Sequence, residues 1–120
     1  MGWDFDSRQP IYVQLVRQLT QRILTGVYEP GSRLPSVRDL AQEAQVNPNT
    51  MQRAMAELEQ AGLLHTERTS GRFVTDDESL LSDQRQRLAA THIAAFFRQM
   101  RALGYEPEEA LDLAKRQGGE

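Results

Sequence analysis

Apolar residues recur at helical spacing in five stretches of this chain and alternate with polar residues in two others. Residues 10–25 place Ile11, Leu15, Val16, Leu19 and Ile23 on one helical face, with Pro10 suited to a first turn and Gly26 to a stop. Val37, Leu40, Ala41 and Ala44 fall at i, i+3, i+4 and i+7 of a second helix. Ser36 is its start signal, and Asp39, three residues on, is a capping-box partner. Met51, Ala54, Met55 and Leu58 mark a third helix that opens on Asn47 as N-cap with Pro48 at its first position and ends at Gly62. Residues 63–67 and 72–75 read as two strands joined by Arg68, Thr69, Ser70 and Gly71, a hairpin with glycine near its tip. The polar run Asp76, Asp77, Glu78 and Ser79 is a joint. A long helix over residues 80–103 follows, with Ala89, Ile93, Phe96, Phe97, Met100 and Leu103 on a wide apolar stripe and Gly104 as its stop. Pro107 opens a last helix, with Glu108 and Glu109 in its first turn and Ala110, Leu111 and Ala114 as its face. Gly118, Gly119 and Glu120 are expected to fray. Three smaller features complete the pattern. Trp3 and Phe5 alternate with Asp4 and Asp6, which predicts a short edge strand. Tyr28 to Gly31 is turn chemistry, and Arg33 with Leu34 can form a very short strand.

A short helix, a turn of three or four residues and a second helix form the helix-turn-helix layout. A hairpin directly after the second helix is the wing of a winged helix. The expected fold is therefore mainly α with a small β-hairpin wing. A winged helix-turn-helix domain spans residues 1–75, and a two-helix tail spans residues 76–120. In that layout the start of the second helix enters the DNA major groove. Here that start carries Asn47, Asn49, Thr50, Gln52 and Arg53. These side chains donate and accept, which suits reading base edges.

Composition narrows the alternatives. The chain has 120 residues, enough for one ordinary domain or a small domain with an appendage. It has no cysteine, which excludes disulfides, thiol catalysis and cysteine-ligated zinc. No apolar run approaches the roughly 20 residues needed to span a bilayer. The N-terminus has no basic segment followed by an apolar run, so a cytoplasmic protein is expected. The net charge of −3 is unlike the usual basic footprint of a nucleic-acid binder. The acidity, however, belongs to the tail. Residues 1–75 hold eight arginines against eight acids, while residues 76–120 hold six basic residues against nine acids. The predicted groove-entering turns are free of acids; Glu57 and Glu59 come later in that helix.

Ordered blocks over residues 9–75 resemble the N-terminal domain of GntR-family bacterial transcriptional regulators. They are Pro10-Ile11-Tyr12-Val13-Gln14, Gly26, Pro30-Gly31-Ser32-Arg33-Leu34-Pro35-Ser36-Val37-Arg38-Asp39-Leu40-Ala41, Val46-Asn47-Pro48-Asn49-Thr50, Leu58-Glu59-Gln60-Ala61-Gly62 and Ser70-Gly71-Arg72-Phe73-Val74. The Asn-Pro-Asn-Thr turn and the short tail look like the YtrA-like subfamily. One position departs from the family pattern: the wing usually carries two glycines, and this chain has Thr69 and then Gly71. The resemblance implies a sequence-specific DNA-binding transcriptional regulator, a repressor acting as a homodimer on a palindromic operator, with a helical dimerisation tail and no cofactor. The alternative from a different class is a winged-helix module that binds protein and not DNA, for which the neutral head leaves room.

Each candidate contact has a plainer explanation beside it. Arg38 lies in a first helical turn, a poor place for a cation unless an anion meets it there. The family's matching arginine contacts the operator, and the plain reading is an ion pair with an acid such as Glu67. Ser36 and Asn47 are explained as caps and sit where DNA would pass. Arg68 at the hairpin tip can reach phosphate or a narrow minor groove, and Ser70 and Gly71 allow the backbone to approach; a solvated hairpin charge is the alternative. Arg33 can bind phosphate or serve only the surface. Arg72 alternates to the outside of its strand and is a weaker candidate. His65 and His92 lack a histidine at i+3 or i+4 and no acidic cluster surrounds them, so no metal is expected. No nucleophile–base set or phosphate-cradling loop is visible, so no enzyme is expected.

The tail's stripe is too wide for two helices to cover. Its residues Leu88, Ile93, Phe96, Phe97, Met100 and Leu103, with Leu111, can meet a second copy, another partner or the head. The second copy is favoured because helix-turn-helix readers usually engage paired half-sites. A third reading is an effector-gated switch, for which so short a chain has little room for a pocket of about 300 Å³.

Overall fold

The computed structural model describes residues 2–118; Gly119 and Glu120 of the expected frayed end lie outside the described residues. The elements run α1 (Ile11–Leu24), α2 (Val37–Ala44), α3 (Pro48–Gln60), β1 (Leu64–Glu67), β2 (Gly71–Val74), α4 (Glu78–Ala102) and α5 (Pro107–Gly118). They form two compact units, Met1–Ser82 and Asp83–Glu120.

Helix ends are set by local chemistry. The Ser36 hydroxyl accepts from the Asp39 N–H at 3.1 Å, and the Asn47 side chain accepts from the Asn49 N–H at 2.7 Å. α3 ends in a Schellman motif: Gly62 has φ +86°, its N–H bonds the Glu59 carbonyl, and the Leu63 N–H bonds the Leu58 carbonyl. α4 repeats the motif around Gly104, with the Tyr105 N–H on the Met100 carbonyl. α2 closes the same way, with the Val46 N–H on the Ala41 carbonyl, but its left-handed residue is Gln45 at φ 59°. A side chain in that region costs about 1 kcal/mol relative to glycine. Gln45→Gly is therefore expected to raise stability by about 0.5–1 kcal/mol in chemical denaturation, with an unchanged m-value.

In the first unit, α3 packs against α1, α2 and β1. The core comprises Leu15, Leu19 and Ile23 of α1, Leu40, Ala41 and Ala44 of α2, and Met51, Ala54, Met55 and Leu58 of α3. Leu34, Leu63, Leu64, Val74 and Leu81 complete it. Fully burying each leucine contributes about 1.5–3 kcal/mol. β1 and β2 pair antiparallel from Leu64↔Val74 to Glu67↔Gly71, and a single bridge from Arg33 to Phe73 realises the very short strand expected there. The turn at Glu29–Ser32 closes through a Ser32 N–H to Glu29 carbonyl bond, with Gly31 at φ +78°.

The N-terminal arm corrects the expected edge strand. Residues 2–6 form no strand, and their partners are side chains of α1. Gln14 accepts from the Asp6 N–H at 3.0 Å and donates to the Asp6 carbonyl at 2.8 Å. Gln18 accepts from the Asp4 N–H at 3.4 Å and donates to its carbonyl at 2.6 Å, and Arg22 donates to the Gly2 carbonyl at 3.1 Å. Positions i, i+4 and i+8 of a helix repeat every ~6 Å, and alternate residues of an extended chain every ~6.6 Å. The periods match, so a row of helix side chains replaces a neighbouring strand. This also corrects the α1 stripe: Gln14 and Arg22 are buried beneath the arm, while Ile11 is exposed. Arg22 lies 3.8 Å over the Trp3 ring, whose Nε1 donates to Glu43 at 2.9 Å. Burial beside this cluster raises the Tyr28 hydroxyl above its usual range, against the opposing pull of Arg22.

The joint before α4 is partly helical. Asp77 accepts from the Leu80 N–H at 3.1 Å as an N-cap, so α4 starts at Glu78, and Leu81 enters the core of the first unit. In the second unit Ala110 is the one buried residue among those described. Leu113 and Ala114 are half-buried, while Leu111, expected on the same face and in the dimer interface, is exposed.

Candidate nucleic-acid interface

The start of α3 presents its polar residues as the spacing predicted. Met51, Ala54, Met55 and Leu58 are buried, and Asn47, Asn49, Gln52 and Arg53 are exposed, with Thr50 half-buried. The Asn47 side-chain oxygen is occupied by its cap bond, which leaves its NH₂ donors for other contacts.

The wing closes without a second glycine. Gln45 is the sole non-glycine with positive φ among the described residues, so Thr69 turns in the ordinary region. The Ser70 N–H bonds the Glu67 carbonyl at 3.2 Å. Gly71 has φ +112°, and a Cβ there would stand 2.9 Å from Arg33 Nε. The wing's glycine thus makes room for Arg33. An open groove of about 370 Å³ runs between the wing and the start of α2. It is lined by Arg33, Ser36, Arg68, Ser70 and Gly71, among other residues, so five of the eleven nominated residues share one surface.

Ion pairing in the head is selective. Glu59 accepts from the Thr66 hydroxyl at 2.6 Å and from Arg72 Nε at 3.3 Å. Arg72 is therefore not the outward side chain expected; it is half-buried and ties β2 to α3. Arg8 pairs with Asp6 and His65 with Glu67, and Glu43 holds Trp3. Arg33, Arg38, Arg53 and Arg68 form no ion pair among the described residues, and the pair of Arg38 with Glu67 does not form. Four of the eight head acids, Asp6, Glu43, Glu59 and Glu67, bond other side chains, and none of the eight pairs with Arg33, Arg38, Arg53 or Arg68, so a zero-charge unit still offers these four guanidinium groups. No group of three His, Cys, Asp or Glu that could hold a metal occurs among the described residues. No described helix is long and apolar enough to cross a membrane.

Two residues of this surface escaped the sequence reading. Glu59 sits at the end of a helix whose bonds reach across to the hairpin, which no local pattern encodes. Tyr12 carries a visible signal: it is an aromatic residue off the apolar stripe of α1, and its ring is covered by Arg53. The Thr66 hydroxyl, and then Arg72, hold the Glu59 carboxyl below its ordinary range. A depressed carboxylate contributes stability above its unfolded pKa of about 4.3 and loses it as pH falls through the folded value. Because Glu59 is a third exposed, Glu59→Gln is expected to cost only about 0.5–1 kcal/mol at neutral pH and nothing at strongly acid pH, read by urea titration at both.

The family of bacterial regulatory proteins called gntR matches residues 11–74. An uncharacterized HTH-type transcriptional regulator of Bacillus subtilis, YhcF, is 36% identical over 112 residues, covering 93% of each chain. The B. subtilis HTH-type transcriptional repressor YtrA is 41% identical over 71 residues, covering 59% of this chain and 55% of that protein. A GntR family transcriptional regulator from Listeria monocytogenes superposes with a TM-score of 0.88 at 38% identity, covering 93% of this chain and 98% of that one. These relatives are transcriptional regulators and not enzymes. The chain belongs to the GntR family, regulators that carry a winged helix-turn-helix DNA-binding domain.

Proposed function

We propose that the chain is a homodimeric repressor of a palindromic operator in the cytoplasm, with residues 1–75 reading DNA and residues 76–120 pairing two copies. The observation that carries this reading is the set of four arginines without an acid partner, Arg33, Arg38, Arg53 and Arg68, together with the acid-free first turns of α3. Asn49, Gln52 and Thr50 read bases, with Asn47 at the groove's edge. Arg33, Arg38, Arg53 and Arg68 neutralise phosphates, and Ser36, Ser70 and Gly71 let the backbone approach them. Repression follows from occupying a promoter, and the name of the relative YtrA supports that sign. The tail's lack of burial supports pairing, since helices that bury one alanine need a further surface to stay folded.

The test is fluorescence anisotropy on a random-sequence duplex across salt concentrations. Four phosphate contacts per head predict a log–log slope near −3.6 for each head. Arg38→Ala and Arg68→Ala should each lower it by about 0.9 and weaken all sequences alike. A protein that binds no duplex even at low salt would instead be the protein-binding module.

A further inference from the structure

Arg53 is held differently from the other three unpaired arginines. Its guanidinium carbon lies 3.6 Å from the centre of the Tyr12 ring. Tyr12 is in the first turn of α1, and α1 packs against α3. A stacked guanidinium uses only its face; its five N–H donors point outward in the plane. No acid among the described residues takes them, although Glu57 stands at i+4 on the same helix, where an ion pair is usual. The ring therefore restrains a long side chain and leaves its donors unspent.

We infer that Tyr12 is a positioning residue for DNA binding, holding the Arg53 guanidinium edge-on to a phosphate at the flank of the major groove. The inference rests on the DNA-reading function proposed above. Because the side chain leans toward α1, it stands at the side of the reading helix, where a groove-bound helix meets the sugar–phosphate wall. A free arginine loses rotamer freedom when it docks. Restraining it beforehand is worth about three- to tenfold in affinity.

The experiment measures binding of the full chain to a random-sequence duplex across salt, with thermal melts of every variant. Tyr12→Leu is expected to weaken binding three- to tenfold and to lower the salt slope toward that of Arg53→Ala. Adding Tyr12→Leu to Arg53→Ala should cost nothing further, and Tyr12→Phe, which keeps the ring, should stay within twofold of the parent. If Tyr12→Leu melts early, Arg53→Lys decides: it keeps the charge without the planar fork and should also lose about threefold or more. Parental affinity and slope in Tyr12→Leu, or additive losses in the double variant, overturn the inference. So does parental affinity in Arg53→Lys. A loss in Tyr12→Phe equal to that in Tyr12→Leu overturns it too, since the hydroxyl would then be the contact. A parent that binds no duplex overturns the DNA-reading function itself; a parent that binds while Tyr12→Leu is silent overturns only this step.

Discussion

Phe97→Asp is expected to yield a monomer whose head remains folded and whose operator affinity falls by about 10²- to 10⁴-fold. Phe96 and Phe97 are only half-buried and meet edge to face at 5.2 Å, while Ile93, Leu103 and Leu111 are exposed, Leu103 by 74%. A charge placed on that face in a dimer would be buried without a partner, at a cost of several kcal/mol. The head should survive, because every residue of its hydrophobic core lies at or before Leu81. The fall in affinity follows from effective concentration: joined heads bind their second half-site intramolecularly, and separated heads do not. The half-sites should lie about 34–36 Å apart, or a multiple of that. Sedimentation velocity and operator titration of the same preparation test this. A Phe97→Asp protein that stays dimeric with parental operator affinity would defeat the pairing proposal.

What the chain reveals before its structure is known follows from the range of the interactions involved. Caps, turns and stripes depend on neighbours within about four residues, so Ser36, Asn47, Pro48, Gly62 and Gly104 were readable, and the helices, hairpin and core of the head with them. Features made between distant segments were not. The arm from Trp3 to Asp6 has the alternation of a strand, and nothing in it says that Gln14, Gln18 and Arg22 will supply the bonds. Gln45 in a glycine-like conformation has no local signature, because the Schellman bonds of α2 impose it. Asp77 looked like a linker residue because a polar joint and an N-cap share a composition. In the site, the nominated arginines could be picked by position, but their lack of acid partners is a property of the packed head. Arg72 differs from them only because Glu59, which the Thr66 hydroxyl also holds, accepts from it.

The second large effect is on sequence discrimination. Asn49 and Gln52 are exposed on the first turns of α3, and each amide can donate to and accept from one base edge. Asn49→Ala or Gln52→Ala is expected to cost about 1–3 kcal/mol on the operator, or roughly 5- to 150-fold, with much less change on random duplex. Stability should hold, because neither side chain is buried and the Asn47 cap bonds the Asn49 backbone, which alanine keeps. The operator itself can be recovered by selection from a randomised duplex library, and the parent's preference then sets the reference. The double variant should approach the parent's affinity for random DNA while keeping its salt slope, since the phosphate-directed arginines are untouched. Equal losses on operator and random duplex would show that these amides do not read sequence. A reduced slope would show that they act on the backbone, as the arginines are proposed to do.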